Sequence, residues 1–298
     1  MRCALGVDIG GTKIQFCHIA ENLSVTALGQ TPTALLRRGT PLFAGDLAEL
    51  IRSRLPLDAD GVAVSLNGVL NGGTVAYSSL MGGKVNFPLA AFLSQALACE
   101  VRVDDDIHAM AIAEAHAGAG GDGAPFALLN LGTGIGVGCY AGNVLRGHFA
   151  AGLISEQMLY IDELNEYRSL DRTVCGRGIR EMYYQLSGQH ADAVTLFSRA
   201  IGGEDAPAVQ TIGLFTRYLG RVMQMISRFY HPERIIINGS IKKAAGYYLD
   251  QARAYYHEGL EPAFHAEIVV SPLAHAAELG TFLGGIYPHG KYAGVQKE

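Results

Sequence analysis

The sequence predicts an α/β protein built as two lobes. Three observations carry that reading. Two glycine-rich turns each follow a short apolar strand: Asp8-Ile9-Gly10-Gly11-Thr12-Lys13 after residues 4–7, and Gly132-Thr133-Gly134-Ile135-Gly136 after residues 126–131. The second half of the chain repeats the opening plan of strand, glycine turn and strand. With 298 residues and 49% hydrophobic content, the chain is long and apolar enough for a large core and two domains.

The elements follow in order. Residues 3–8, the first turn and residues 14–19 read as a β-hairpin. Strand-like residues follow Lys13 and the GxxxxGK[ST] spacing is missing, which argues against a strand-to-helix phosphate loop. Residues 42–55 have helical apolar spacing, 61–64 form a buried strand, and 67–79 contain the Gly72-Gly73 turn. A second helix spans 87–99. A strand at 101–103 closes on Asp104-Asp105-Asp106, and the Ala- and Met-rich residues 107–117 form a buried helix. The Gly/Ala/Asp/Pro stretch 118–125 is the hinge candidate, dividing an N-terminal lobe (1–118) from a C-terminal lobe (119–298). Beyond strands at 126–131 and 135–140 come a turn at Ala141-Gly142-Asn143 and a further short strand. Residues 194–230 are mainly helical, with Phe215, Leu219, Val222 and Ile226 on one face. Residues 235–237 form a buried strand ended by Asn238-Gly239-Ser240, residues 268–270 another strand, and residues 277–286 a helix able to fold back on the first lobe.

Composition narrows the function. A net charge of -5 leaves no basic surplus for a nucleic-acid backbone. No apolar run is long enough to span a bilayer, and the N-terminus lacks the pattern of a signal peptide. Five cysteines without CxxC spacing read as reduced thiols of a cytoplasmic protein, neither a disulfide frame nor a zinc site. Neither nucleic acid nor membrane is expected as a partner.

The turns point to phosphate. Glycine lets backbone N–H groups approach an anion, threonine adds a hydroxyl, and a carboxylate such as Asp8 beside the turn can hold magnesium through water. Two such turns fit a nucleotide phosphate chain clamped between lobes. Asp8 also suits simple turn formation before Gly10-Gly11, and Lys13 suits either solvent or a phosphate.

Both turns, together with the run Pro232-Glu233-Arg234-Ile235-Ile236-Ile237-Asn238-Gly239-Ser240, resemble the ROK family (repressors and sugar kinases) of the actin-like ATPase superfamily, over almost the whole chain. The resemblance implies two ribonuclease-H-like lobes with a nucleotide cleft between them, ATP and Mg2+ as cofactors, a homodimer, and phosphorylation of a sugar hydroxyl (hexose, N-acetylhexosamine or glucoside). The chain opens at the phosphate hairpin, so the DNA-binding domain of the family's repressors is not expected. By the same resemblance Asp8, Gly10, Gly11, Thr12 and Lys13 of the first turn and Gly132, Thr133, Gly134 and Gly136 of the second contact ATP. Asp8 reaches the metal through water, and Gly239 borders adenosine. Asp106 takes the position of the catalytic base. Asp105 falls on the sugar-binding asparagine, Ser79 on the asparagine of the sugar loop, and Asp171 on a sugar-binding glutamate. Aspartates opening a helix also cap it, worth about 1 kcal/mol, and three adjacent carboxylates repel unless hydrogen bonds, water or metal relieve them.

The chain also departs from the family. The usual Ala-Gly-Glu-Ile-Gly-His stretch reads Ala151-Gly152-Leu153-Ile154-Ser155-Glu156-Gln157, so Leu153 replaces the sugar-binding glutamate. Glu156 stands at the histidine, or takes the glutamate's role if the alignment shifts. The family's cysteine knuckle is absent from residues 160–169, so no structural zinc is expected. These departures keep a second reading open: a non-catalytic sugar- or nucleotide-binding protein of kinase ancestry.

Overall fold

The computed structural model describes residues 3–148 and 151–287. In chain order it runs β1 (Cys3–Ile9), β2 (Lys13–Ala20), β3 (Val25–Pro32), α1 (Phe43–Arg52), β4 (Gly61–Leu66), β5 (Val69–Asn71), β6 (Thr74–Ser78), β7 (Gly83–Phe87), α2 (Leu89–Leu97), β8 (Glu100–Asp105) and α3 (Asp106–Ala117). It continues with β9 (Phe126–Leu131), β10 (Ile135–Tyr140), β11 (Met158–Ile161), β12 (Glu166–Ser169), α4 (Gly176–Ser187), α5 (Ala193–Gly202), α6 (Ala206–Tyr230), β13 (Arg234–Asn238), α7 (Ala245–Glu258), β14 (Glu267–Val270) and α8 (Ala276–Leu283). Two compact units emerge. The first takes the chain up to Gly121, the segment from Gly142, and the chain from Leu273; the second takes Asp122–Ala141 and Gly152–Pro272.

In the first unit a five-stranded sheet has the order β3-β2-β1-β4-β8. β1 pairs antiparallel with β2 and parallel with β4, which pairs parallel with β8. Strand periodicity splits β1 between two cores. Leu5, Val7 and Ile9 pack with Phe43 and Leu47 of α1 and Leu89 and Leu93 of α2. Ala4 packs on the other face with Leu279 and Phe282 of α8. Gly6 lies on that second face, where a Cβ would sit 2.6 Å from Cys17 Sγ and 2.8 Å from Glu278 Cβ. Its bare backbone is what lets α8 lie against the strand. The parallel register aligns Asp8 with Ser65 and Ser65 with Asp104, and one step on aligns Leu66 with Asp105.

In the second unit the sheet order is β10-β9-β13-β14, with β9, β13 and β14 parallel and β10 antiparallel. One core joins the sheet to α4–α7, with Phe215, Leu219, Val222 and Ile226 of α6 buried in it. β11 and β12 form a two-stranded hairpin in which the rings of Tyr160 and Tyr167 meet edge-on and Ile161 turns inward. Arg168, also buried, bonds Glu166, Gln185 and Glu181.

The short strand expected after residues 141–143 does not form. Gly142 and Gly147 both take left-handed φ, of +75° and +66°, which breaks a strand's regular pleat. Irregular backbone follows, and its groups bond to α3 and β8 of the first unit.

Candidate active site

In the first unit three parallel strands end side by side, and their carboxyl ends are where open α/β sheets gather ligands. Asp8 and Ser65 each lie one residue before the end of their strands, β1 and β4, and Asp104-Asp105-Asp106 close β8 and open α3. The structure gives the three aspartates different work. Asp104, 7% exposed, receives both arms of the Arg146 guanidinium, Nη1 to Oδ1 and Nη2 to Oδ2, each at 2.7 Å. Asp105 is the N-cap of α3: its Oδ1 accepts the His108 amide at 2.8 Å, and its Oδ2 meets the His108 ring. Asp106 stands inside the first helical turn, half-buried, with Asn67 Nδ2 3.5 Å from its Oδ2. Burial, with the Asp105 carboxylate second, pushes its carboxyl up to about 6. Capping and the base position thus fall on different residues. Asp105, placed on a sugar-binding position by the resemblance, already has both oxygens bonded.

Asp8 accepts from Ser65 Oγ at 2.6 Å. Burial, then the Glu278 carboxylate, raises it to about 7, and Asp106 adds to the same effect. Glu278, 2% exposed on α8, bonds His275 at 3.0 Å, and that bond raises the histidine.

Both glycine turns spend their carbonyls on hydrogen bonds within the protein. In the first, Gly10 O accepts Thr33 Oγ1 at 2.9 Å, Gly11 O accepts Arg38 at 3.2 Å, and Thr12 O accepts the Thr33 amide at 3.0 Å. The Gly10 amide closes on Lys13 O, while the amides of Gly11 and Thr12 donate to no protein group among the described residues. Lys13 is exposed, its ammonium 3.4 Å from Gln15. In the second turn, Gly132 O and Thr133 O accept the first amides of α4, from Gly176 at 2.9 Å and Arg177 at 3.1 Å, and Gly134 O accepts the Gly132 amide at 3.0 Å. The Thr133 and Gly134 amides are again left over, and Thr133 is exposed. Each turn therefore presents donors, the chemistry an anion requires. Gly136 follows as the second residue of β10.

Asp171 braces the second turn. Its Oδ1 accepts the Ile135 amide at 3.2 Å, its Oδ2 pairs with Arg177, and a Cβ at Gly134 would lie 2.7 Å from it. That leaves it bonded within its own unit, where the resemblance had implied a free carboxylate for sugar. Gly239 takes φ +87° directly against the backbone of Leu131, and a Cβ there would also lie 2.8 Å from Asn130 Oδ1, a buried acceptor with no hydrogen-bond partner among the described residues. Glu156 and Leu153 line an open groove of the second unit with Met225 and Phe229 of α6. Leu153 is 61% exposed. Ser79 is exposed; the neighbouring Ser78 Oγ bonds Asn67 O at 2.8 Å, anchoring the residue that reaches Asp106.

Sequence reading missed Ser65, Asn67, Arg146 and Glu278. Two of them carried a signal: Ser65 breaks the apolar run of β4, and Glu278 is the one charged residue in α8. Arg146 had none, since its partner lies 42 residues away.

Comparison with known proteins decides the relationship. The sequence profile of the ROK family matches residues 4–285. The chain belongs to the ROK family. This ROK chain is 30% identical over 286 residues to an N-acetylmannosamine kinase of Escherichia coli strain 55989, covering 92% of this chain and 95% of that one. Among solved structures, its fold is similar to that of a ROK family glucokinase from Streptomyces griseus in complex with glucose and AMPPNP, with TM-score 0.76 and 19% identity over 94% of this chain and 97% of that chain. It is also similar to the ROK hexokinase from Thermus thermophilus, with TM-score 0.69 and 23% identity over 94% of this chain and 96% of that chain.

Proposed function

We propose that this ROK protein is a sugar kinase that transfers the γ-phosphoryl group of ATP to a sugar hydroxyl, each of its two units contributing a ribonuclease-H-like lobe. The observation that carries the reading is the shared design of the two turns: every carbonyl at Gly10–Thr12 and Gly132–Gly134 is bonded within the protein, and the amides of Gly11, Thr12, Thr133 and Gly134 are left as donors for phosphate oxygens. Thr12 and Thr133 add exposed hydroxyls. Lys13 is an exposed cation beside the first turn. Gly239, Asn238 and the unpartnered Asn130 Oδ1 suit the adenosine side, where a nucleoside donor would satisfy that acceptor.

The carboxylate of Asp8 fits magnesium held through water, since Mg2+ keeps several waters and binds few carboxylates directly. Bound there, the ion would neutralise phosphate charge. Asp106 is the general base. Among the described residues it is the one aspartate of the triple with no cationic partner, and Asn67 holds it at the strand end. A carboxylate titrating near 6 is ionised at neutral pH yet basic enough to draw a hydroxyl proton. Ser79 and Glu156 are exposed candidates for acceptor contacts, while Asp105 and Asp171 act as braces behind them. The acceptor to test first is N-acetylmannosamine, the sugar of the curated relative's name.

Coupled ADP release should be measured across N-acetylmannosamine, other N-acetylhexosamines, hexoses and glucosides. Turnover on one of them is expected. Asp106→Asn should then cut kcat by roughly 10²–10⁴-fold with little change in the KM for ATP. Exposed Leu153 in place of the family's glutamate favours the second reading, a binding protein without transfer. ATP binding with no turnover on any sugar would establish that reading and overturn the first.

A further inference from the structure

The triple Asp104-Asp105-Asp106 poses an electrostatic problem that the fold answers from elsewhere in the chain. Three adjacent carboxylates cannot all stay ionised at a buried strand end without compensation. Compensation for Asp104 comes from Arg146 in a two-armed bond, the geometry in which guanidinium meets carboxylate most strongly. The same Nη1 lies 3.7 Å from Asp105 Oδ2 and 3.4 Å from His108 Nδ1. His108 bonds Asp105 and, through Nε2, reaches Leu145 O at 3.2 Å. The segment from Gly142 thus joins the first unit through a cation placed on two carboxylates and a carbonyl placed on the histidine between them.

We infer that Arg146 is a positioning residue of the site: by neutralising Asp104 it leaves Asp106 as the one carboxylate of the triple free to take a proton. The inference rests on Asp106 being the base and adds a residue that no motif assigned. Arg146 acts through charge and need not touch the acceptor. The charged groups around Asp106 are Asp104 and Asp105 on its own strand end, His108 on α3, Arg146 from the 142–148 segment, and Asp8 on β1 with Glu278 of α8 beyond it. Arg146 is the one permanent cation in that set. Without it Asp104 becomes a buried, unpaired carboxylate two residues from the base, and the cost of breaking such a pair exceeds the worth of the pair itself.

The test is a charge cycle on the full chain, with the acceptor sugar that the ADP-release assay identifies and folding followed by circular dichroism. Arg146→Gln should lower kcat/KM about tenfold at pH 5 and recover toward wild type by pH 8.5, because its acid limb moves up by about one pH unit. Asp104→Asn combined with Arg146→Gln removes both charges and should return the limb, and the rate to within about threefold, to wild type. Arg146→Lys should keep most of the activity. The inference is overturned by a wild-type profile in Arg146→Gln, by a loss equal at every pH, or by a double variant as slow as the single one. If Arg146→Gln does not fold, the double variant and Arg146→Lys decide by the same criteria. Wild-type enzyme run in parallel separates the two levels: no phosphoryl transfer by wild type removes the kinase reading and this inference with it, whereas transfer with an insensitive Arg146 removes the inference alone.

Discussion

At the scale of single residues, the three aspartates show how one run of identical side chains acquires three roles. Asp104 meets a guanidinium, Asp105 meets a helix amide and a histidine, and Asp106 meets an amide side chain at 3.5 Å. The environment of Asp106 should appear in two measurements with opposite signs. A base must be unprotonated to act, so wild-type kcat/KM should fall as pH falls through about 6. Stability runs the other way. The folded carboxyl binds its proton more tightly than the unfolded one, so stability is lost as pH rises from about 4 to about 6. Asp106→Asn should therefore be more stable than wild type above pH 6, by up to about 3 kcal/mol, and indistinguishable below pH 4. Urea melts at pH 4 and pH 8 check this, and equal stabilities at pH 8 would count against the strained carboxylate. The aspartates were legible as a strand-end cluster. Their division of labour was not, because Arg146 is remote in sequence and Asn67 sits in an unremarkable turn.

At the scale of elements, close backbone approach sets what the glycines do. α8 crosses α3 at Gly280, where any Cβ would strike Ala109 O. Gly280→Ala should cost about 2 kcal/mol or more, since neither helix backbone can give way cheaply. It should also slow turnover, because α8 carries the Glu278 carboxylate that acts on Asp8. Thermal melting with the ADP assay measures both effects, and a fully active, wild-type-stable variant would show that the two helices can part. The helix that becomes α8 was expected at residues 277–286, and the strand expected after residue 143 was not found. Periodicity reports a face to bury, but two left-handed glycines override it locally. The β11–β12 hairpin makes the same point from the other side. Where the family has a cysteine knuckle, this chain places an edge-on tyrosine pair and buried Arg168.

At the scale of the whole chain, each unit has its own core, but the first is not a continuous stretch of sequence. Ala4, Ile19 and Ala63 of its sheet are covered by Leu279, Phe282 and Ile286 from the far end of the chain. A truncation ending at Gly121 would expose that face and should fail to give a folded, soluble unit, whereas joining residues 273–287 to it by a flexible linker should restore folding. Circular dichroism and gel filtration of the two chains distinguish the outcomes; a folded 1–121 fragment would show that α8 is dispensable.

Local sequence by itself determined the strands β1, β2, β4, β8, β9, β10, β13 and β14, the two anion-ready turns, the carboxylates at a strand end and, through their spacing, the family. Those features are written in neighbouring residues: alternation makes a strand, and glycine beside threonine makes a donor turn. Tertiary structure alone decided which aspartate is capped, which is neutralised and which is left for chemistry. It also bound Asp171 to a turn and put Glu278 behind Asp8. The physical reason is that charge and burial act through space. The groups that set them arrive from β4, α8 and the 142–148 segment, at separations no local pattern records.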